Sequence, residues 1–158
     1  MDRREFIKYS SMAFALSVLY KVNSLEVRAD DEEEAEELPF SEAYSDATSG
    51  AKKIIKDAKQ LHLNIPDAPE NGLVVPVEVE VDHLMDKNSY IKEIHVLTTK
   101  NKVNKVVSAN YTPANGKAYL YVNAKLGSTQ EMVILAKSND GIVYEKRKKI
   151  KIAIGGCG

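Results

Sequence analysis

Val75, Val77, Val79 and Val81 alternate with Pro76, Glu78, Glu80 and Asp82, and Ala118, Leu120, Val122, Ala124 and Leu126 alternate with Lys117, Tyr119, Tyr121, Asn123 and Lys125. A period of two predicts half-buried strands, since successive side chains of a strand point to opposite faces. Leu61, Leu63 and Ile65 give a shorter strand that stops at Pro66, and Asp67 to Gly72 reads as a turn. Tyr90 to Thr99 is a further strand with Ile94, Val96 and Thr98 on one face; Lys105 to Tyr111 follows, closed by Thr112-Pro113-Ala114-Asn115-Gly116. Met132 to Ala136 is apolar at every position, which predicts a central strand covered on both faces. Asp140-Gly141 then turns the chain into Ile142 to Ile154, in a tight hairpin whose two central residues are both expected at positive φ. Pro76 has no amide hydrogen to give to a ladder, so its strand is expected at a sheet edge. About seven strands with short connections and no intervening helix predict an all-β fold, an antiparallel β-sandwich of immunoglobulin type. A small antiparallel barrel is the alternative.

Upstream of the strands the pattern changes. Ser41 to Lys59 carries Ala43, Ala47, Ala51, Ile54, Ile55 and Ala58, broken by Thr48-Ser49-Gly50, and predicts two short helices that cap the domain or meet a partner. Residues 30–40 open with Asp30-Asp31-Glu32-Glu33-Glu34-Ala35-Glu36-Glu37, like charges that repel in any compact form. This stretch is expected to be a solvated linker, with an electrostatic tether for a basic partner surface as the second reading. Residues 1–29 hold Arg3-Arg4, then Phe6-Ile7, then a mildly apolar run from Met12 to Tyr20. That run is shorter than the roughly 20 apolar residues a spanning helix needs. It reads as an export signal, cleaved after Ala29, and the paired arginines resemble the twin-arginine type that moves folded cargo; an attached amphipathic helix is the alternative.

Composition narrows the function. The 158 residues suffice for one domain, and 44% hydrophobic with 28% charged residues is the balance of a packed globular protein. Lys and Arg number 22 against 23 Asp and Glu, so no whole-chain basic field exists to attract nucleic acid or, after export, an anionic membrane. Trp is absent and aromatics are 7%, a poor supply for a stacking platform. A single cysteine rules out an internal disulfide and a thiolate zinc cluster. His62, His83 and His95 have no metal-motif spacing, so neither a metal nor a cofactor is expected.

The one cysteine carries the chemistry. The chain ends Gly155-Gly156-Cys157-Gly158, directly after the apolar Ile152-Ala153-Ile154. Glycines have no side chain to pack and the widest backbone freedom, so Cys157 is read as the tip of a slender arm and not as a core residue. Extended residues span about 3.4 Å each, which lets the sulfur reach about 10 Å beyond Ile154 into another protein's narrow channel. No base lies beside Cys157 in sequence, so it reads as a covalent attachment point acted on by other proteins, not as an enzyme's own nucleophile. Two rival readings are a periplasmic thiol oxidoreductase, which lacks a second cysteine here, and a structural or adhesive sandwich domain indifferent to the thiol.

The residues Ile65-Pro66 through Glu70-Asn71-Gly72, Val75-Pro76-Val77, Val81-Asp82, Tyr90 to Val96, Thr112-Pro113 with Gly116, Gly127-Ser128-Thr129-Gln130, Ser138 to Gly141 and the terminal Gly155-Gly156-Cys157-Gly158 resemble the SoxY family of sulfur carriers in thiosulfate oxidation. The tail is the most specific of these elements. The resemblance implies a periplasmic immunoglobulin-like domain, exported folded in a heterodimer with SoxZ. It also implies that sulfur species ride covalently on Cys157, with Gly155, Gly156 and Gly158 as the carrier arm. In that scheme a cytochrome complex, SoxXA, oxidatively joins thiosulfate to the thiol, SoxB hydrolyses off sulfate, and SoxCD, where present, oxidises the remaining sulfane. The chain departs from the family pattern in having one glycine after the cysteine where two are usual.

Overall fold

The computed structural model describes residues 38–152, and within them the valine ladder of residues 75–81 forms the middle of the smaller of two sheets. Strand β3 (Val75–Val81) lies between β2 (Leu61–Asn64) and β6 (Ala118–Ala124), antiparallel to both. Its four valines are at most 3% exposed, while Pro76, Glu78 and Glu80 face outward. The larger sheet has β1 (Lys53–Lys56), β8 (Ile142–Ile150), β7 (Gln130–Ser138), β4 (Ile91–Thr98) and β5 (Lys105–Asn110), in that order. The two sheets face each other across Val75, Val77, Val79, Ile91, Ile94, Val96, Met132, Ile134 and Ile150. Burying such side chains contributes about 1.5–3 kcal/mol each. The expected all-β sandwich is therefore present, with eight strands among the described residues.

The larger sheet is covered on both faces. Helix α1 (Phe40–Thr48) lays Ala43 and Ala47, one turn apart, over Leu97, Val133, Leu135 and Val143, and this forms a second apolar cluster. Alternate residues of β7 thus feed two cores: Met132, Ile134 and Ala136 inward, Val133 and Leu135 under the helix. The all-apolar run at 132–136 is central, as its pattern predicts. Edge-on support comes from β8, whose Lys146 Nζ donates to the Leu61 carbonyl at 2.8 Å and whose Lys148 Nζ donates to the Ile65 carbonyl. These lysines tie the rim of one sheet to the other while their stems cover apolar surface.

Three expectations need correction. Only one helix forms between Ser41 and Lys59; Gly50, at φ +67°, ends the helical region, and Lys53–Lys56 becomes β1, parallel to β8 from Lys53↔Ile142 to Lys56↔Glu145. The adjacent β-branched Ile54 and Ile55 suit a strand, and a ladder partner was available at the sheet edge. The sandwich is consequently not wholly antiparallel. Second, β3 is central in its sheet and not an edge. Proline is accommodated there because β2 pairs only with Glu78 to Val81, so β3 has a strand on one side alone at Pro76. Third, the 139–141 hairpin has positive φ at Gly141 (+91°) but not at Asp140. Gly141 N–H donates to the Ser138 carbonyl at 3.2 Å, a turn followed by one left-handed glycine, as three-residue hairpin loops use. The export signal, residues 30–37 and the terminal arm lie outside the described residues.

A buried ionic group fastens α1 to the sheet. Glu145 of β8 is 1% exposed; it accepts from the Tyr44 hydroxyl at 2.7 Å and from Arg147 Nε at 2.6 Å. The Arg147 guanidinium in turn sits 5.9 Å from the ring centroids of both Phe40 and Tyr44. Burial alone opposes ionisation of Glu145, but the hydrogen bonds from Tyr44 and Arg147 outweigh it and hold the carboxyl below its ordinary value. A carboxyl with a lower pKa folded than unfolded stabilises the fold above the ordinary carboxylate range, and that contribution is lost as pH falls through the depressed value. Tyr44→Phe is expected to cost about 1.5–3 kcal/mol at pH 7, the scale of a hydrogen bond to a charged group. Urea unfolding at neutral and acid pH checks this: the deficit should shrink on acidification, and an undiminished deficit in acid would count against the ionised network.

Candidate functional site

The strand that leads to Cys157 leaves the sandwich along a defined path. β8 ends at Ile150, which is fully buried, and Lys151 N–H then donates to the Asp67 carbonyl at 2.8 Å. Ile152 N–H donates to Thr129 Oγ1 at 3.0 Å, and the Thr129 hydroxyl lies 3.3 Å from the Ile152 carbonyl to which it donates. Asp67 is held from the other side, its carboxylate 3.1 Å from Lys148 Nζ. Two loops, one before β3 and one before β7, thus grip the chain at the point where it departs.

Gly72 makes the grip close. A methyl group at this position would lie 2.6 Å from the Leu126 carbonyl oxygen and 3.1 Å from Ile152 Cγ2. The Gly72 carbonyl accepts from Leu126 N–H at 2.7 Å, so the turn at 67–72, the segment after β6 and Ile152 are pressed together with no room for a side chain. The turn itself was legible in the sequence. Its tertiary task was not, because Leu126 and Ile152 are distant along the chain.

Around this root lysines stand together with the carboxylates of Glu131 and Asp67. Lys100 and Lys102 stand on the loop joining β4 to β5, Lys125 follows β6, Lys149 is near the end of β8, and Lys151 is at the exit. Buried Gln130 locks the loops that bear them: its Oε1 accepts from Lys100 N–H at 2.8 Å and its Nε2 donates to Asn101 Oδ1 at 2.8 Å. Asn101 Nδ2 donates to the Lys125 carbonyl at 2.7 Å. Gln130 falls in the Gly127-Ser128-Thr129-Gln130 stretch that carries the resemblance, while Asn101 and the isolated lysines have no spacing signature.

The predicted carrier residues Cys157, Gly155, Gly156 and Gly158 lie outside the described residues. The three histidines are all described and stand apart in function from the root. His95, 7% exposed on β4, has Nδ1 2.7 Å from Ser108 Oγ and Nε2 3.2 Å from Glu93. Burial depresses its pKa, with the hydrogen bond to Glu93 opposing. Among the described residues no group of three His, Cys, Asp or Glu is placed to hold a metal, and no helix is long and apolar enough to cross a membrane.

The described residues form an all-β sandwich of two sheets whose last strand is held by two loops where it leaves the core. The model of the sulfur oxidation protein SoxY matches residues 45–157, and the chain belongs to the SoxY family. Among solved structures it is similar to the sulfur carrier protein SoxY from Chlorobium limicola f thiosulfatophilum, with a TM-score of 0.60 and 21% identity, over 72% of this chain and 96% of that one. A superoxide reductase (neelaredoxin) from Ignicoccus hospitalis has a TM-score of 0.56 and 16% identity over 63% of this chain and 94% of its own. At such identities these likenesses concern the fold. No curated protein matches the sequence significantly.

The clamp can be tested directly. Gly72→Ala is expected to destabilise by about 1–3 kcal/mol, as overpacking of a tight site does, and to raise amide exchange at Leu126 and Ile152 above the rest of the sheet. Parent-like unfolding together with parent-like exchange at those two amides would show that the contact is not a constraint.

Proposed function

We propose that this protein carries sulfur intermediates as covalent adducts of Cys157, on the arm formed by Gly155, Gly156 and Gly158, and presents them to partner enzymes in the oxidation of thiosulfate. What supports the reading most is membership of a sulfur-oxidation family over a span that runs through the cysteine itself. The anchored exit at Ile152 adds a physical rationale: a tether is useful when its root is fixed and its tip is free.

The chemistry is a relay on one thiol. Joining thiosulfate to Cys157 forms a sulfur–sulfur bond, giving Cys–S–S–SO3⁻ with release of one proton and two electrons, which a c-type cytochrome complex of the SoxXA type accepts. Water then attacks the terminal sulfur; sulfate and two protons leave, and Cys–S–S⁻ remains for a SoxCD-type enzyme where present. SoxB is the hydrolase in this scheme. The carrier supplies a thiolate, which is the reactive form, and no acid or base of its own. In this reading the protein is not an enzyme and needs no cofactor. It works in the periplasm after folded export and pairs with SoxZ, in an interface expected to bury about 1,600 Å² or more in total.

Cys157→Ser is expected to abolish sulfate release in a reconstituted thiosulfate-oxidation assay while leaving thermal unfolding within about 0.5 kcal/mol of the parent, as for exposed positions generally. Sulfate release by the serine variant would refute the carrier reading. Sustained thiol oxidation by the isolated chain would favour the oxidoreductase reading instead. Replacing Gly155 and Gly156 together by Val tests the arm: loading should fall severely with stability unchanged, and normal loading would mean that an exposed cysteine suffices without slenderness.

A further inference from the structure

Leu38 enters the domain beside the loop that joins β4 to β5. It bridges Val103 in parallel, and its carbonyl accepts from Asn104 N–H at 3.4 Å and from Asn104 Nδ2 at 3.1 Å. Lys100, Asn101, Lys102 and Val103 of that loop, with Lys125 and Gly127, line a cavity of about 470 Å³. No carboxylate lines it, and its three lysines are exposed. Among the described residues none of the three is within 4.0 Å of an acidic partner, whereas Lys92, Lys117, Lys137 and Lys148 each are. Positive charges gathered round one concavity raise the local potential there.

The Asn104 side chain is only half satisfied. It is 6% exposed and its Nδ2 serves Leu38, but its Oδ1 has no donor among the described residues. Buried polar groups ordinarily have a partner, and the one missing here is an N–H of the kind a passing backbone supplies. The chain that passes Asn104 is the one arriving at Leu38.

That chain is the most acidic stretch of the sequence. Residues 30–37, Asp30-Asp31-Glu32-Glu33-Glu34-Ala35-Glu36-Glu37, carry seven carboxylates and end directly before Leu38. Parallel neighbours run in the same direction, so the chain reaches Leu38 from the side on which Lys102 precedes Val103. Extended residues span about 3.4 Å each, so the four from Glu34 to Glu37 cover about 14 Å, enough to cross a cavity of this volume.

We infer that the acidic segment 30–37 docks on its own domain as the occupant of this cavity. Its carboxylates pair with Lys100, Lys102 and Lys125, and its backbone next to Leu38 supplies the donor that Asn104 Oδ1 lacks. The segment is then a strap and not a solvated linker, and the basic surface expected of a partner belongs to the chain itself. Carboxylates held over the lysines cancel their field and deny the cavity to other anions. The inference goes beyond the carrier reading and does not depend on it.

A nitroxide attached through Asp30→Cys in the full chain, with Cys157→Ser leaving a single thiol, reports where the segment lies. It should broaden the amides of residues 100–104 and 125–127, and spare Lys87 on the loop before β4 at the other end of the sandwich. Lys100→Gln, Lys102→Gln and Lys125→Gln together should weaken the broadening at 125–127 about threefold or more, the scale of three exposed ion pairs. Changing Glu32, Glu33, Glu34, Glu36 and Glu37 to Gln should weaken it similarly while leaving every domain residue in place. Salt at about 0.5 M, which shortens the screening length to about 4 Å, should do the same to the parent. Broadening that is equal in the parent and both variants would mean a tail tethered near the loop but not docked, and would overturn the inference. No broadening at 125–127 in the isolated parent would leave the segment to a basic surface of another protein, which overturns it as well.

Discussion

The burial of one sheet on both faces governs this structure. Strands β4, β7 and β8 each send alternate side chains into the sandwich core and into the small cluster beneath α1, so a one-residue slip in their pairing would exchange two apolar sets of different volume. Small alanines at 43 and 47 let the helix approach closely, and the Glu145 carboxylate, held by Tyr44 and Arg147, fixes where it sits. Everything attached to β8 inherits that register. The exit of the chain at Ile152 is one such dependent feature.

The chain is held firmly up to the last described residues. Ile150 is wholly buried and Ile152 is still bonded to Thr129 and packed over Gly72. Beyond Ile154 the sequence is glycine on both sides of the cysteine. A backbone carbonyl of one loop, at Asp67, and a side-chain hydroxyl of another, at Thr129, hold the chain just past the end of β8.

Over the whole chain acidic and basic residues nearly cancel, yet lysines 100, 102, 125, 149 and 151 gather at the exit end. Lys149 there faces Glu131 across the β7–β8 ladder, and Glu131 also lies 3.7 Å from Arg147, so a carboxylate stands among these lysines.

The strands and their inward faces were readable because period-two alternation is a local property: valines 75–81 and the apolar run 132–136 need no knowledge of partners to be assigned, and the glycine-flanked cysteine is likewise local. What the sequence left undetermined depended on who lies next to whom. Ile54 and Ile55 became a parallel strand and not a helix because β8 offered an open edge, and Pro76 sits in a central strand because β2 is too short to reach it. Gly72 and Thr129 became the clamp on the exit only when Leu126 and Ile152 were brought against them. Scattered lysines became one cavity through the bonds of Gln130 and Asn101. Side-chain direction along a strand is encoded residue by residue, whereas ladder partners, close approaches and summed charge are set by contacts between distant segments, and those exist only in the folded chain.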